Sequence, residues 1–271
     1  MTSGRGMPLL MGIVNVTPDS FSDGGAWLDP AQAVAHGLRL LDEGADVLDI
    51  GGESTRPGAA AVSADEELRR VVPVLRGLRT AAPTARLSID TAKSAVAAAA
   101  VQAGATIVND VTALGDPDMA RVCAQADVEL ILMHIRGTPR TMQDDTAYGD
   151  LIGDVCAWLD ERASLAMAAG VRRDRIVLDP GLGFGKALND NARLIAAIPR
   201  LRALGYPVLI GASRKRFIGA LTAEPEAPRR IHGSVGAALA AAQRGAAWLR
   251  VHDVAATRAA LQVFLAVEAA A

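Results

Sequence analysis

The hydrophobic and polar positions of the chain fall into a repeating two-part unit. A short β-branched or leucine-rich run reads as a buried strand, and a longer Ala-rich segment with helical apolar period follows it. The predicted strands are Leu10 to Val16, Val47 to Ile50, Arg86 to Asp90, Thr106 to Asn109, Glu129 to His134, Arg175 to Asp179, Pro207 to Gly211 and Trp248 to His252. The predicted helices are Pro30 to Glu43, Ala64 to Thr80, Lys93 to Ala103, Asp116 to Gln125, Asp150 to Ala169, Asn189 to Leu204, Arg216 to Thr222, Ser234 to Arg244 and Val254 to Val267. Gly44, Gly104, Gly170, Gly205 and Gly245 stop several of these helices, and the EGAD, AGAT and RGAA junctions lead straight into the next run. Eight such units predict an α/β fold, a single-domain (β/α)8 TIM barrel over residues 1–271 with residues 1–8 as a flexible N-terminus. A doubly wound open sheet shares the alternation, but no predicted strand runs into a GxGxxG turn, and the chain length suits a closed barrel better.

A barrel places its chemistry where strands end and βα loops begin. Here every predicted strand ends in polar residues: Asn15, the DIGGESTRPG stretch, Asp90, Asn109, the LMHIRG stretch, Asp179, then Ser213 with Lys215, and finally Arg250 with His252. Taken singly, a strand-end Asp or Asn is most simply a helix cap. Taken together, these residues describe a cup with a polar floor and a basic rim. The carboxylates of Asp90 and Asp179 only accept hydrogen bonds, whereas Asn109 both donates and accepts, a set that suits a flat heterocycle carrying an amino group and ring N–H donors. Lys215, Arg250 and His252 suit an anion such as a phosphate or diphosphate, and Asn15 adds a neutral oxygen for Mg2+.

Composition narrows the partners. Of 271 residues 51% are hydrophobic but only 3% aromatic, so the core must be aliphatic and closely layered. The net charge is −2, and the basic residues form no stripe, which disfavours nucleic acid. No apolar run approaches the ~18 residues of a membrane helix, and the N-terminal apolar stretch is too short for a signal peptide. Cys123 and Cys156 form no metal-type spacing, so a reduced, cytoplasmic location is expected.

Three patterns invite misreading. DPGLGFGK, residues 179–186, is no P-loop, because Pro180 and Ala187 occupy two required positions. Its glycines either let the backbone and Phe184 approach a ligand or simply make a tight turn. His36 reads as a solvated helix residue and His134 as a packed polar one, and neither marks a zinc site. Ser213 shows no base partner in the sequence and no GxSxG elbow surrounds it.

With these residues in view, the chain resembles the dihydropteroate synthases over nearly its whole length. The resemblance runs from MGIVNVTPDSFSDGG through DIGGESTRPGA, SIDT, IVNDVTA, MHIRGTPRTMQ, LDPGLGFGK and GASRKRFIG to LRVHDV. It implies condensation of a dihydropterin pyrophosphate with 4-aminobenzoate, with Asp90, Lys215, Arg250 and His252 as the catalytic set. The implied pterin pocket is Asp90, Asn109, Met133, Asp179 and Lys215, and the implied diphosphate and Mg2+ contacts are Asn15, Arg250 and His252. Thr55, Arg56, Pro57, Phe184 and Ser213 are the implied aminobenzoate residues, with Phe21 closing over them. The same likeness makes NVTPDSFSDGG and GGESTRPG substrate-ordered loops and implies a homodimer formed near the SVGAALAAAQ segment. STRPG is uninterrupted, so sulfonamides, which mimic aminobenzoate, are expected to inhibit.

Two rival readings need less of this sequence. A corrinoid-dependent methyltransferase on a related barrel would need neither TPDSFSDGG nor STRPG nor SRK, and a non-catalytic paralogue would have lost Arg56, Lys215, Arg250 or His252. All of these features are present. Trp248 is bulky for an eighth barrel strand, and nothing in the sequence accounts for it.

Overall fold

The computed structural model describes residues 6–17, 29–55 and 58–270. Eight parallel strands make one sheet: β1 (Leu9–Asn15), β2 (Val47–Gly51), β3 (Arg86–Asp90), β4 (Ile107–Asp110), β5 (Glu129–Met133), β6 (Ile176–Asp179), β7 (Leu209–Ile210) and β8 (Trp248–Val251). Around them, among the described residues, lie α1 (Pro30–Asp42), α2 (Ala64–Ala81), α3 (Ser94–Gln102), α4 (Met119–Ala126) and α5 (Leu151–Ala168). They are followed by α6 (Leu188–Ala196), α7 (Ile198–Arg202), α8 (Arg216–Thr222), α9 (Ile231–Gln243) and α10 (Val254–Ala269).

The hydrogen-bonded order is β6-β5-β4-β3-β2-β1-β8-β7, and a parallel bridge between Leu178 and Val208 returns β7 to β6. The sheet is thus a nearly closed barrel, as the alternation predicts. The seam is thin for a covalent reason. Pro207 has no N–H to give, and only its carbonyl joins the ladder, accepting from Leu178 N at 2.9 Å.

The five helix-stopping glycines all take left-handed φ angles, from +85° at Gly205 to +109° at Gly104. Helices depart clearly from expectation in three places, and the strand expected over Pro207 to Gly211 shortens to Leu209–Ile210. The helix expected over residues 189–204 is two, because Pro199 cannot donate to the carbonyl of Ile195 and the chain restarts after Ala197. The helix expected from Asp116 begins at Met119, and the Asp116 carboxylate instead accepts from Ser94 N at 2.8 Å and Asp118 N at 3.0 Å. The helix expected from Ser234 begins earlier, at Ile231. At the N-terminus Pro8 is already buried and Met7 packs against the core, while residues 1–5 lie outside the described residues.

Side chains alternate across each strand, so the barrel has two apolar cores. The larger lies between strands and helices and includes Leu10, Leu48, Leu87, Val108, Leu130 and Leu178. The smaller fills the barrel's lower interior with Met11, Val47, Ile107, Ile131, Val177, Leu209 and Trp248. Trp248 now has its account. Its ring plugs this layer among modest aliphatic neighbours, with the Arg86 guanidinium 5.0 Å from the ring centroid and bonded to Glu129 at 2.6 Å.

Candidate active site

Parallel register sets the floor of the mouth. Asn15 pairs with Gly51, Gly51 with Asp90 and Asp90 with Asn109, so residues from four successive strands form one cross-strand row. Inside this row stands a residue that the sequence reading missed, Asp49. It lies in the middle of β2, fully buried, and its Oδ2 accepts from Arg250 Nε at 2.6 Å and from Asn109 Nδ2 at 3.1 Å. The available signal was an acid inside VLDIG, a strand otherwise apolar on both faces.

Arg250, expected on a basic rim, lies across this floor. It spans Asp49 and Asp90, with Nη2 donating to Asp90 Oδ2 at 2.7 Å. Burial works against its charge, but Asp49 and Asp90 outweigh that and raise its pKa. Burial also raises the Asp90 carboxyl above the usual range, Arg250 opposes the rise, and the charges of Asp49, Glu67 and Asp110 add to it. Two oxygens, Asp49 Oδ1 and Asp90 Oδ1, are buried with no hydrogen-bond partner among the described residues. A buried acceptor without a partner is costly, and it is satisfied if a ligand donor arrives there.

A second group forms on the β6 and β7 side. Asp179 is buried, and its Oδ1 accepts from Gly181 N at 2.8 Å. Burial raises its pKa while the Lys215 ammonium opposes the rise. Burial in turn lowers Lys215 to about 8, against the pull of Asp179. Lys215 Nζ donates to the Leu182 carbonyl and sits 4.6 Å from the Phe184 ring centroid, a cation over an aromatic face. Phe184 packs in turn on an apolar shelf of Val111, Met133, Ile135 and Met142.

Between Ser213 and Lys215, Arg214 holds a left-handed φ of +59°. Its guanidinium binds Asp253 at 2.5 Å, its N–H donates to Ser234 Oγ at 2.9 Å, and its carbonyl accepts from Arg230 Nη1 at 2.9 Å. Those contacts over-determine a strained residue, the usual condition for strain to persist at a functional position. The reading of Ser213 as lacking a base partner needs correction. Its Oγ is 3.0 Å from His252 Nδ1 and accepts from His252 N at 3.2 Å, a pairing created only when the ends of β7 and β8 come together.

Thr55 is half-buried at the start of the β2 loop, whose base is tied by Glu53. One Glu53 oxygen accepts from Val62 N at 3.0 Å and the other takes Lys93, whose ammonium also reaches the buried Glu67 at 2.6 Å. Phe21, Arg56 and Pro57 lie outside the described residues. His36 is not simply solvated: it is half-buried, its Nε2 lies 3.3 Å from the Ile13 carbonyl, and burial lowers its pKa. His134 is packed as expected, but against an unexpected partner, the Nζ of buried Lys186 at 2.9 Å.

Chemically, the mouth offers acceptors on its floor, cations beside them and one aromatic platform at its side. The chain is similar to known proteins over nearly its whole length. The model of the family described as pterin binding enzyme matches residues 11–252. A dihydropteroate synthase of Neisseria meningitidis serogroup B is 50% identical over 267 residues, covering 96% of this chain and 93% of the relative. The structure of Xanthomonas albilineans dihydropteroate synthase with 4-aminobenzoic acid superposes with a TM-score of 0.92 at 54% identity, covering 97% of this chain and 94% of that one. The Yersinia pestis dihydropteroate synthase with a sulfonamide drug complex gives a TM-score of 0.92 at 42% identity, covering 97% and 95%.

Proposed function

The chain belongs to the family of pterin binding enzymes, and from that membership we infer dihydropteroate synthase activity: condensation of 6-hydroxymethyl-7,8-dihydropterin pyrophosphate with 4-aminobenzoate. The products are 7,8-dihydropteroate and pyrophosphate, and the protein is a transferase of folate biosynthesis and a sulfonamide target. The observation that carries the residue-level reading is the convergence of buried acceptors at Asp90, Asn109 and Asp179 with cations at Lys215 and Arg250 in one mouth.

In this reading Asp90, Asn109 and Asp179 hold the pterin by its donors, and Met133 lies along the ring. Arg250, His252 and Lys215 face the diphosphate side, so negative charge building on the leaving group meets fixed positive charge. The methylene C–O bond breaks with its electron pair going to the diphosphate, and the pterin ring delocalises the cation left behind. The aromatic amine then forms the C–N bond and releases a proton. The Asp90 carboxylate, whose charge Arg250 favours against the opposing effect of burial, steadies the positive charge that develops on the ring. Phe184, Thr55 and Ser213 frame the aminobenzoate, and Phe21, Arg56 and Pro57 complete that subsite by the resemblance. Water must be kept from the cation, and the two loops NVTPDSFSDGG and GGESTRPG would serve that end.

Among the described residues no cluster of three His, Cys, Asp or Glu side chains could cage a metal. The donor expected from the sequence is the Asn15 amide oxygen, half-buried at the end of β1. A single hard neutral donor fits Mg2+, an ion that keeps waters and shares substrate phosphates. Bound there, it would neutralise charge on the departing diphosphate. The same reading includes a cytoplasmic homodimer. Its supporting face is an apolar groove of ≈ 300 Å³ between α8 and α9, lined by Phe217, Ile218, Leu221, Ala237 and Ala240.

Pyrophosphate release tests the proposal. Release is expected only with both substrates and Mg2+ present, to fall sharply on addition of EDTA, and to collapse in Lys215→Ala. Pterin binding by the intact protein with no release under any condition would overturn the enzyme reading.

A further inference from the structure

The segment after β6 is held by side chains rather than by a backbone ladder. Gly181, Gly183 and Gly185 take φ angles of +67°, +79° and +64°, so the backbone cannot continue a ladder or a helix. Its carbonyls are instead served one by one by side chains from four directions. Lys186 Nζ donates to the oxygens of Gly181 at 3.1 Å and Phe184 at 2.7 Å. Lys215 takes that of Leu182, Gln143 that of Gly183 at 3.1 Å, and Tyr148 that of Gly185 at 2.8 Å. On the donor side Gly183 N is held by Asn191 Oδ1 at 2.6 Å. The loop also rests directly on β5, since a Cβ at Gly181 would lie 1.9 Å from the His134 carbonyl oxygen.

Lys186 is the centre of this arrangement and has no part in the mechanism above. Its side chain is turned inward and the residue is only 3% exposed. Its third contact is His134 Nδ1 at 2.9 Å. His134 is itself fixed, with its ring edge-on to Trp158 at 4.8 Å, and burial holds it down to about 3, so the ring is neutral at working pH. Two carbonyl acceptors and one imidazole nitrogen converge on Lys186 Nζ, whose pKa burial lowers to about 7 against the pull of Asp179. The two carbonyls flank Phe184: its own and that of the glycine three residues before it.

We propose that Lys186 is a positioning residue, oriented by His134, that fixes the Phe184 ring opposite Lys215 and thereby sets the aminobenzoate subsite without touching either substrate. The inference rests on the reading that Phe184 borders the aminobenzoate. A lysine needed only for folding would disturb both substrates alike. A positioning lysine disturbs one.

The test is a comparison of KM for 4-aminobenzoate with Kd for the dihydropterin pyrophosphate in wild type, Lys186→Gln, Lys186→Arg and Phe184→Ala. A misplaced platform in Lys186→Gln should raise the aminobenzoate KM roughly 10- to 100-fold, weaken sulfonamide inhibition in parallel and leave pterin Kd within about 2-fold. Lys186→Arg keeps the charge but not the three-fold donor geometry and should recover only part of the loss. Equal losses for both substrates, or none for either, would overturn the inference. If Phe184→Ala raises the aminobenzoate KM while Lys186→Gln does not, the subsite reading stands and the positioning role fails. If Phe184→Ala changes nothing, the subsite reading fails and takes the inference with it. Should Lys186→Gln not fold, Tyr148→Phe removes one milder tie, to Gly185, and must show the same split at smaller size for the inference to stand.

Discussion

Two layers of the barrel interior, stacked along the same strands, share a backbone and differ in almost everything else. In the lower layer β2, β4, β6 and β8 contribute Val47, Ile107, Val177 and Trp248. Two residues further along, about 6.6 Å up each strand, the same four strands contribute Asp49, Asn109, Asp179 and Arg250. Residues i and i+2 face the same way, so each of these four strands carries one side chain for packing and the next for chemistry. The lower layer is complete in itself, since dispersion and burial need no outside partner. The upper one is not: it buries carboxylates around one arginine and leaves Asp49 Oδ1 and Asp90 Oδ1 unpaired among the described residues. A barrel that were only a scaffold would have no use for such a layer.

The sharpest way to break the upper layer is Arg250→Ala. It leaves Asp49 and Asp90 buried without their counter-charge, and should cost about 3–5 kcal/mol of stability and abolish detectable turnover. Chemical denaturation with a pyrophosphate-release assay reads both. Combining Arg250→Met with Asp49→Asn and Asp90→Asn should return most of the stability and none of the activity. Recovery of activity in the triple variant would mean that the charges serve folding alone.

The matching cut in the lower layer is Trp248→Ala, which opens a cavity beneath Arg86. The expected loss is about 3–5 kcal/mol of stability, with kcat at 25 °C changed by less than about 3-fold provided the protein remains folded. A large fall in kcat at full folding would show that the two layers are mechanically coupled.

The smallest effect separates the layers by pH. Burial lowers Lys215 to about 8, so its charge is present below that pH and lost above it. The groups facing it are Asp179, Arg250 and Asp90, and none of the lower-layer residues titrates. Affinity for the dihydropterin pyrophosphate should therefore weaken as pH rises from 8 to 9.5, by up to about 10-fold per unit once the amine is neutral. Lys215→Arg should flatten this part of the profile, as measured by pterin Kd against pH. An unchanged slope in Lys215→Arg would assign the titration to another group.

The two alternating periods announced eight βα units, and helix-stopping glycines and strand-end polar residues located the mouth, because these are local consequences of backbone geometry. Asp90, Asn109 and Asp179 stand out because a polar residue closing an apolar run has few structural reasons to be there, and Lys215 and Arg250 because they are cations near the ends of the last two strands. Asp49 escaped notice because it interrupts a strand rather than ending it, and its partner Arg250 lies 201 positions away. Lys186 is not singled out by the sequence, because its partner His134 lies on another segment, 52 positions away. Trp248 made no sense until residues from six other strands were packed around it, with Arg86 over its ring. Periodicity travels with the chain, since each residue's φ, ψ and hydropathy act on its near neighbours. A buried charge or a filled cavity depends on strands meeting across a closed barrel, and only closure sets which charge faces which.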